Sequence, residues 1–241
     1  MIGWRARLGF LVPPGNPTVE PEMAALAPPG VSVHFHRMVA RGEGGAHAGQ
    51  AERNRMMVEH LDESASLLAM VKPQVIALAH TATSYALGRD GEARLLGRLE
   101  ASAGTRVVTA FGAIAAALER LGVKRLAYGT PYSEETTRQG KAHLEAHGFA
   151  VVRCERLPGV ANIYDETPER AYLLARMADA SEAEAVLLSG TGLPTLGVLR
   201  ALESDLGKPV LSSNAAMMWH ALRLAGVGES IAGYGRLLTL G

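Results

Sequence analysis

The chain contains very little cysteine: among its 241 residues there is only one, Cys154. A single cysteine cannot form an intrachain disulfide, and this scarcity is typical of a protein from a reducing compartment. Cys154 lies in the middle of the predicted strand 150–157, and not at its carboxyl end, where parallel sheets hold their ligands. We therefore expect Cys154 to be an ordinary packing residue and not a nucleophile.

The chain also lacks an excess of charge of either sign and lacks long apolar runs. Lysine plus arginine and aspartate plus glutamate number 24 each, so the formal net charge is +0. This balance argues against a nucleic acid or a membrane surface as partner. No run approaches the roughly 20 apolar residues that span a bilayer, and the N-terminus lacks the order of features of a signal peptide. We expect a cytoplasmic protein with no nucleic acid and no membrane partner.

What the sequence does contain is an alternation of short apolar strands and longer amphipathic helices, in a chain that is 48% hydrophobic. This alternation predicts an α/β fold with parallel sheets flanked by helices on both faces. The predicted strands are residues 6–12, 31–38, 74–80, 105–110, 125–130, 150–157, 185–190 and 209–214. The predicted helices are residues 17–26, 51–71, 86–102, 112–121, 134–147, 167–180, 194–206 and 215–225.

The second half of the chain weakly repeats the first, at an offset of roughly a hundred residues. The similar pairs are, in order, residues 5–14 with 123–132, residues 75–84 with 185–194, and residues 104–123 with 207–227. The repeat predicts two similar Rossmann-like lobes. We expect an N-terminal lobe over 1–118, completed by the tail 215–241, and a C-terminal lobe over 119–214.

The repeat pairs two residues that follow apolar strands, His80 in VIALAH and Gly190 in AVLLSG. Ligands of open parallel sheets bind outside the carboxyl ends of the strands. Two lobes can therefore face these edges toward each other and enclose one small ligand. His80 and Gly190 would then lie on opposite walls of the crevice, although His80 could also be a plain strand-end residue without chemistry.

Six segments resemble the aspartate/glutamate racemase superfamily, in particular its maleate isomerase and arylmalonate decarboxylase branch. Together they extend over nearly the whole chain: VPPGNPTVEPE (12–22), AHTATSY (79–85), TPYSEE (130–135), LLSGTGLPTL (187–196), VLSSNAAMMWHALRLAG (210–226) and GYGRLL (233–238). The resemblance implies two lobes related by a pseudo-twofold axis, with a small carboxylate held between them. It also implies no metal and no organic cofactor, and a homodimer would be ordinary for this family.

The chain departs from the family at the two positions that define the family's chemistry. Racemases and maleate isomerases of this superfamily have one cysteine in each half-site, and arylmalonate decarboxylase has glycine at the first position and cysteine at the second. In this chain the first position is His80 and the second is Gly190. Neither thiol is present.

The positions that bind substrate in the family are, by contrast, occupied by suitable residues. The resemblance implies substrate contacts for Asn16, Tyr132 and Asn162. It places Thr81 and Ser84 in the carboxylate-binding loop of one lobe. Thr191 and Gly192 form the matching loop of the other lobe, where hydroxyl and backbone N–H groups can hold an anion.

Each of these residues also has a purely structural interpretation. Asn16 precedes a proline, and asparagine followed by proline is a good helix start. Thr81 and Ser84 could cap the helix that follows them. Tyr132 could be a packing residue with a tethered hydroxyl, and Asn162 would be unremarkable in a loop.

Several other polar residues are weaker candidates. Glu20 and Glu22 lie in the first turns of a helix, where a solvated or capping role is expected. The segment RGEGGAHAGQ (41–50) has the composition of a lid over the crevice, and Arg37 and Arg41 flank it within reach of a substrate carboxylate.

The remaining histidines and glycine motifs indicate no metal or cofactor. His34 and His36 share a strand face but have no third ligand near them in sequence. His60, His143 and His147 are expected on helix surfaces. LSGTGLP lacks the later glycine of a dinucleotide-binding fingerprint, and no P-loop is present.

The residues at the paired positions limit the chemistry. Imidazole titrates near neutrality, but Gly190 offers no second proton carrier for stereoinversion, and thiol addition lacks its nucleophile. We predict a cofactor-independent lyase or isomerase that acts on a small mono- or dicarboxylate through an enediolate-like anion, with His80 as the single acid/base and Tyr132 as the second catalytic residue. Two alternatives are a maleate isomerase-like enzyme in which His80 replaces the nucleophile, and a catalytically silent carboxylate-binding protein.

Overall fold

The computed structural model describes residues 2–241, which form two four-stranded parallel sheets flanked by helices. The first sheet has the order β2-β1-β3-β4 and the second has the order β6-β5-β7-β8. The strands are β1 (Ala6–Val12), β2 (Val31–Arg37), β3 (Val75–Leu78), β4 (Arg106–Thr109), β5 (Arg125–Thr130), β6 (Ala150–Arg156), β7 (Ala185–Leu188) and β8 (Val210–Ser212). The same order occurs twice, so the predicted α/β fold with two similar lobes is confirmed.

Nine helices of the described chain cover the sheets. They are α1 (Val19–Leu26), α2 (Gln50–Glu59), α3 (Leu61–Ala69), α4 (Thr81–Ala103), α5 (Ala110–Arg120), α6 (Glu134–Ala146), α7 (Pro168–Ala178), α8 (Leu196–Leu206) and α9 (Ser213–Leu224). One short 3₁₀ helix lies between β6 and α7, at Ile163–Asp165, and a second lies after α9, at Leu237–Thr239. No helix within residues 2–241 has both the length and the apolar character needed to cross a membrane.

The strands nearest the sheet centres are apolar because helices cover both of their faces. β3 reads VIAL and β7 reads AVLL, and every residue of both strands is buried. Complete burial of a side chain such as Ile76 or Leu187 contributes roughly 1.5–3 kcal/mol. The edge strands β2 and β6 are only partly buried, in line with their more polar sequences. The strands that precede His80 and Gly190 are therefore completely buried.

The first sheet packs against the second through helices with small side chains. α5 and α9 pack along each other, and α9 also contacts α1 and β3 of the first half although it follows β8 of the second sheet. The buried alanines Ala113 and Ala117 of α5 and Ala216 and Ala221 of α9 lie on these packed helices. Small residues at such positions let two helix backbones approach closely.

Two predicted helices have different bounds in the structure. The helix predicted over 51–71 is divided into α2 and α3 at His60, whose φ of −105° and ψ of 8° are not helical. The helix predicted to begin at residue 86 begins at Thr81 and is interrupted at Gly88, where φ is 66° and ψ is 177°. Glycine adopts such a conformation without the steric cost of a side chain. His80 consequently lies at the N-terminal cap of α4, and not in a loop.

The expectation that His143 lies on a helix surface is wrong. His143 is buried where α4 and α6 pack together, and its Nε2 lies 2.9 Å from Oε2 of Glu92. The sequence of α6 does not reveal this partner, because Glu92 is 51 residues away in the chain. His60 is exposed and His147 is half-buried.

Candidate active site

A cavity of about 250 Å³ lies where the inner strands of both sheets end. Pro13, Pro14 and Gly15 follow β1, His80 follows β3, Tyr132 follows β5, and Thr191 and Gly192 follow β7. The other lining residues are Ala40, Gly42, Gly44, Gly45, Ala46, Gln50, Arg53, Asn54, Met57, Ile163 and Tyr164. The cavity therefore draws its wall from both halves of the chain, at the strand ends where ligands of parallel sheets bind.

His80 is a buried member of this wall, with 7% of its surface exposed. Its backbone is extended, and its Nδ1 lies 2.9 Å from the hydroxyl of Thr83 in the first turn of α4. Burial, and to a lesser extent the positive charge of Arg53, lowers the pKa of His80 to about 4. The imidazole is therefore neutral near pH 7 and available to accept a proton.

Tyr132 and Thr81 form a hydroxyl pair beside His80. Their side-chain oxygens lie 2.8 Å apart, and the backbone N–H of Tyr132 donates to the hydroxyl of Thr130 at 3.1 Å. Burial raises the pKa of Tyr132 well above its ordinary value. The phenol therefore stays protonated and can serve as a hydrogen-bond donor, while Thr81 itself lies behind Tyr132 and not on the cavity wall.

Gly190 begins the turn that forms the opposite wall. Its φ is +123°, a conformation that residues with side chains rarely adopt. Its N–H donates to the hydroxyl of Ser213 at 3.0 Å, and a Cβ at this position would lie 3.1 Å from Cγ of Pro131. The next two residues, Thr191 and Gly192, are the ones that line the cavity.

The side chain of Thr191 connects the two strand ends. Its hydroxyl donates to the carbonyl oxygen of Ala79 at 2.9 Å, and it accepts a hydrogen bond from Nδ2 of Asn16 at 3.2 Å. Ala79 directly precedes His80. The hydrogen bond between Thr191 and Ala79 thus joins the two halves of the chain next to Gly190 and His80.

Asn16 helps to start α1, as its sequence suggested as an alternative, but the helix begins at Val19 and Thr18 occupies the N-cap position. Its Oδ1 accepts hydrogen bonds from the backbone N–H groups of Thr18 and Val19, at 2.9 and 3.2 Å, at the start of α1. With Nδ2 bound to Thr191, the whole side chain is engaged within the protein. Asn16 is 1% exposed and is not part of the cavity lining, so its contact with a carboxylate stays a prediction.

The structure does not bring Ser84 to the cavity. Because α4 begins at Thr81, Ser84 lies in the first turn of a helix and not in a binding loop. Its hydroxyl donates to Oε1 of Glu92 at 2.7 Å, on the buried side of α4.

Asn162 holds the glycine-rich segment 41–50 in place over the cavity. Its Nδ2 donates to the carbonyl oxygen of Gly44 at 2.9 Å, and its Oδ1 accepts from the backbone N–H of Tyr164 at 2.9 Å. A Cβ on Gly45 would lie 1.9 Å from Oδ1 of Asn162, so only glycine allows this close approach. The side chain of Asn162 thereby positions other lining residues and does not itself line the cavity.

The segment 41–50 lies over the cavity as its composition predicted, but the arginines expected to reach the substrate do not line it. Arg37 donates to the carbonyl oxygen of Asn16 at 2.7 Å and pairs with Glu20 at 2.9 Å. Arg41 is exposed. Arg37 is thus engaged by groups of the protein, and neither arginine lines the cavity.

The cation that does line the cavity is Arg53 of α2, which the sequence interpretation missed. Its guanidinium donates to the backbone carbonyls of Ala46 and of Ala48, the latter at 2.6 Å. A guanidinium has five N–H donors, so donors remain for a ligand. The sequence did contain a signal: the lining residues of this helix are spaced as one helical stripe, Gln50, Arg53, Asn54 and Met57.

Tyr164 is the second residue that the sequence interpretation missed. It lies in the 3₁₀ turn Ile163–Asp165 and packs against Gly15, Gly44 and Gly192, where an added Cβ would approach its ring within 2.6–3.3 Å. Burial raises its pKa to about 12, although Arg53 and Arg37 oppose the shift. Tyr164 is therefore a second protonated phenol at the cavity.

Glu22 has a structural role that no local pattern reveals. It is buried, and one oxygen accepts from the backbone N–H groups of Thr195 and Leu196, at 2.7 and 3.0 Å, at the start of α8. Its other oxygen accepts from Asn214 at 2.6 Å. Burial raises its pKa. Glu22 therefore caps the N-terminus of α8, a helix of the other half of the chain, whereas the sequence interpretation expected it to act at the start of its own helix.

Comparisons with known proteins agree with this fold. The family model of arylmalonate decarboxylase matches residues 8–238. A maleate isomerase of Nocardia farcinica (strain IFM 10152) is 30% identical over 254 residues, which cover 96% of this chain and 95% of that protein. An arylmalonate decarboxylase of Bordetella bronchiseptica is 30% identical over 236 residues, covering 95% of each.

A solved structure shows the same architecture. A mutant of the Nocardia farcinica maleate cis-trans isomerase with a covalently bound succinylcysteine intermediate superposes with a TM-score of 0.87, at 28% identity, over 97% of this chain and 98% of that one. The resemblance predicted from the sequence motifs is confirmed. The chain belongs to the arylmalonate decarboxylase family, whose relatives matched here are an isomerase and a decarboxylating lyase.

Proposed function

We propose that this protein is a cofactor-independent isomerase or lyase that acts on a small mono- or dicarboxylate, with His80 as its single acid/base. The observation that carries the proposal is the position of His80, a buried imidazole at the end of β3, on the wall of a cavity that also holds Arg53 and Tyr132. The family relatives are named as enzymes for maleate and arylmalonate, which are both dicarboxylates.

Arg53 and the two phenols supply the binding of the anion. The guanidinium of Arg53 is held by two backbone carbonyls and keeps further N–H donors for a carboxylate. Tyr132 and Tyr164 stay protonated and add neutral donors. Such fixed donors stabilise negative charge that develops on the carboxylate as an enediolate-like anion forms.

His80 supports a first step of proton abstraction. At pH 7 a group with a pKa of about 4 is protonated in only roughly one molecule in a thousand. The neutral imidazole takes a proton from the carbon beside the carboxylate, and the C–H electron pair passes into the enediolate-like anion. The imidazolium then delivers the proton to a conjugated carbon of the anion, which shifts the double bond and completes an isomerisation.

Decarboxylation is the second candidate, and the match to the arylmalonate decarboxylase family favours it. Here the bond to one carboxylate carbon breaks, CO₂ leaves, and the electron pair remains on the other fragment as the enediolate-like anion. Protonation of that anion requires the imidazolium form of His80. A bound dicarboxylate would favour this form, because its charge offsets that of Arg53.

Nucleophilic addition through a thiol does not fit the cavity. One relative carries a covalently bound succinylcysteine intermediate, whereas Cys154, the one cysteine of this chain, lies in β6 and outside the cavity lining. Burial raises the pKa of its thiol, which lowers its reactivity. Imidazole addition by His80 and a silent binding protein remain the alternatives that experiment must exclude.

The test uses ¹H NMR to measure the turnover of a panel of small mono- and dicarboxylates. The parent is compared with the variants His80→Ala and Cys154→Ala. We expect His80→Ala to lose about 10²–10⁴-fold in kcat, the worth of a positioned general acid or base. Cys154→Ala is the matched control and should retain the parent rate. Binding of a carboxylate without turnover of any compound by the parent would support the silent binding protein.

The pH dependence of kcat/KM separates the two candidate reactions, since it reports the free enzyme. If neutral His80 abstracts the proton, kcat/KM is constant between pH 5 and 8 and falls only as the pH approaches about 4. Decarboxylation that needs the imidazolium gives a rate that falls about tenfold per unit as the pH rises through the same interval.

A further inference from the structure

A second group of titratable side chains lies between α4 and α6, apart from the cavity. Three side chains each offer one ligand atom: Glu92 of α4, His143 of α6, and His147, which directly follows α6. These ligand atoms all lie within 4.8 Å of one another. Glu92 and His143 are buried and His147 is half-buried. None of the three lines the cavity that holds His80.

The carboxylate of Glu92 is fixed by hydrogen bonds at both of its oxygens. Oε1 accepts from the hydroxyls of Ser84 and Thr109, and Oε2 lies 2.9 Å from Nε2 of His143. A fixed, buried carboxylate of this kind is a suitable ligand for a cation.

His147 has its second nitrogen available. Its Nδ1 lies 2.8 Å from the backbone carbonyl oxygen of His143, and because a carbonyl oxygen only accepts, Nδ1 must carry the proton. In the neutral ring Nε2 then has a free lone pair. Histidines that bind metal commonly donate their other N–H to a backbone carbonyl in this way. The spacing of four residues places both rings on one face of α6, with centroids 4.6 Å apart.

We propose that Glu92, His143 and His147 form a zinc site that fastens α4 to α6. Two imidazole nitrogens and one carboxylate oxygen match the ligand preference of Zn²⁺, with water as the fourth ligand. Ligands at about 2.0–2.2 Å in a tetrahedron lie roughly 3.3–3.5 Å apart, so Nε2 of His143 and Oε2 of Glu92, which lie 2.9 Å apart, must separate slightly, and the more distant ligand atoms must approach by up to about 1.5 Å. To bind the metal through Nε2, the neutral imidazole of His143 takes the tautomer that carries its proton on Nδ1.

The site has an entrance and an opposing charge. A surface cavity of about 240 Å³ is lined by Glu92 and His147, so water and an ion can reach them. Arg89 lines the same cavity and donates to the carbonyl oxygen of Ala146 at 3.4 Å. Its positive charge opposes a cation, so removal of Arg89 should tighten zinc binding.

Zinc at this position would act on the candidate active site only through the helices. α4 begins directly after His80, and α6 begins after Tyr132 and Ser133. Glu92 lies beyond the interruption of α4 at Gly88, so the metal would influence the start of α4 through the hydrogen bond from Ser84 to Glu92. The inference does not depend on the proposed function, because it concerns a site outside the carboxylate cavity.

The experiment is a titration of chelator-stripped full-length protein with ZnCl₂, in competition with a chromophoric chelator. We expect one Zn²⁺ per chain and a rise in melting temperature. His147→Ala should weaken binding by more than about 100-fold, because changes in residues that merely orient metal ligands already cost about 10–100-fold. His60→Ala removes an exposed histidine and is the matched control, and Arg89→Ala should bind more tightly.

His147 is half-buried, so His147→Ala should fold, which circular dichroism verifies. Glu92→Gln is the second variant and should lose the same affinity. Zinc K-edge absorption of the loaded parent should show two imidazoles in the coordination shell. No stoichiometric binding by the parent, or equal affinity in His147→Ala and His60→Ala, would overturn the proposal.

Discussion

The hydroxyl of Thr191 donates to the carbonyl oxygen of Ala79 at 2.9 Å, and this bond joins the two halves of the chain beside the cavity. Ala79 is the last residue before His80, and Thr191 is the first after Gly190. Both groups are buried. The bond therefore sets the separation between the imidazole and the opposite wall, and its loss would leave a buried carbonyl without this donor.

Replacement of Thr191 by valine tests this relationship, because valine keeps the shape and removes the hydroxyl. We expect the free energy of unfolding to fall by about 1–3 kcal/mol, the cost of an unsatisfied buried polar group. Urea denaturation measures the change. Thr137→Val is the matched control: the hydroxyl of Thr137 is buried without a partner, so its removal should be neutral or slightly stabilising. Equal losses in both variants would contradict the role given to the bond.

Replacement of Arg53 by methionine tests the electrostatics of the cavity. Arg53 is the smaller of the two causes that lower the pKa of His80. Its removal should raise that pKa from about 4 but leave it below 6.5, because burial remains. NMR titration of the His80 ring protons gives the value. Carboxylate affinity should fall as well, whereas Arg41→Met, which removes an exposed arginine, should change neither quantity.

His80 should also make stability depend on pH. The unfolded chain binds a proton at His80 near pH 6.5 and the folded chain only near pH 4, so the unfolded state holds more protons between these values. The free energy of unfolding should therefore fall as the pH drops from about 6.5 to about 4, by up to roughly 3 kcal/mol from this residue. Denaturation of the parent and of His80→Ala at several pH values isolates the contribution. Parallel curves for the two proteins would exclude it.

Gly190 should resist substitution, because its backbone conformation and its contact with Pro131 disfavour any side chain. Gly190→Ala places a Cβ at a φ of +123° and against Pro131, so we expect a loss of about 1–3 kcal/mol. Gly97→Ala lies inside α4 with open space around its Cβ and should stabilise by roughly 0.5–1 kcal/mol. Thermal or urea denaturation of both variants checks the opposite signs. A stable Gly190→Ala would mean that the turn relaxes.

Patterns within a single segment were sufficient for the fold and for the outline of the site. The run VIAL of β3 indicates a strand buried on both faces, and the repeat in AVLL of β7 indicates its partner. Ligands bind beyond the carboxyl ends of parallel strands, and the repeat predicts two lobes that enclose one ligand. These two runs, although they belong to different sheets, therefore already place His80 and Thr191 near each other.

Contacts between distant segments could not be predicted. Glu22 caps α8, and its partners are more than 170 residues away. Ser84 is predicted in a loop because the predicted helix begins at residue 86, whereas α4 begins at Thr81. Arg53 was overlooked since a single arginine in a charged helix looks solvated until the strand ends that it faces are known.

The central claim is that one imidazole, His80, exchanges the proton at the reacting carbon from one side. The most direct measurement is the stereochemistry of deuterium incorporated during turnover in D₂O of a carboxylate that the parent converts, because the imidazolium exchanges its proton with solvent. We expect deuterium to enter one carbon with a single handedness, and His80→Ala to lose this labelling by about 10²–10⁴-fold. Racemic label, or labelling by His80→Ala at the parent rate, would contradict the claim.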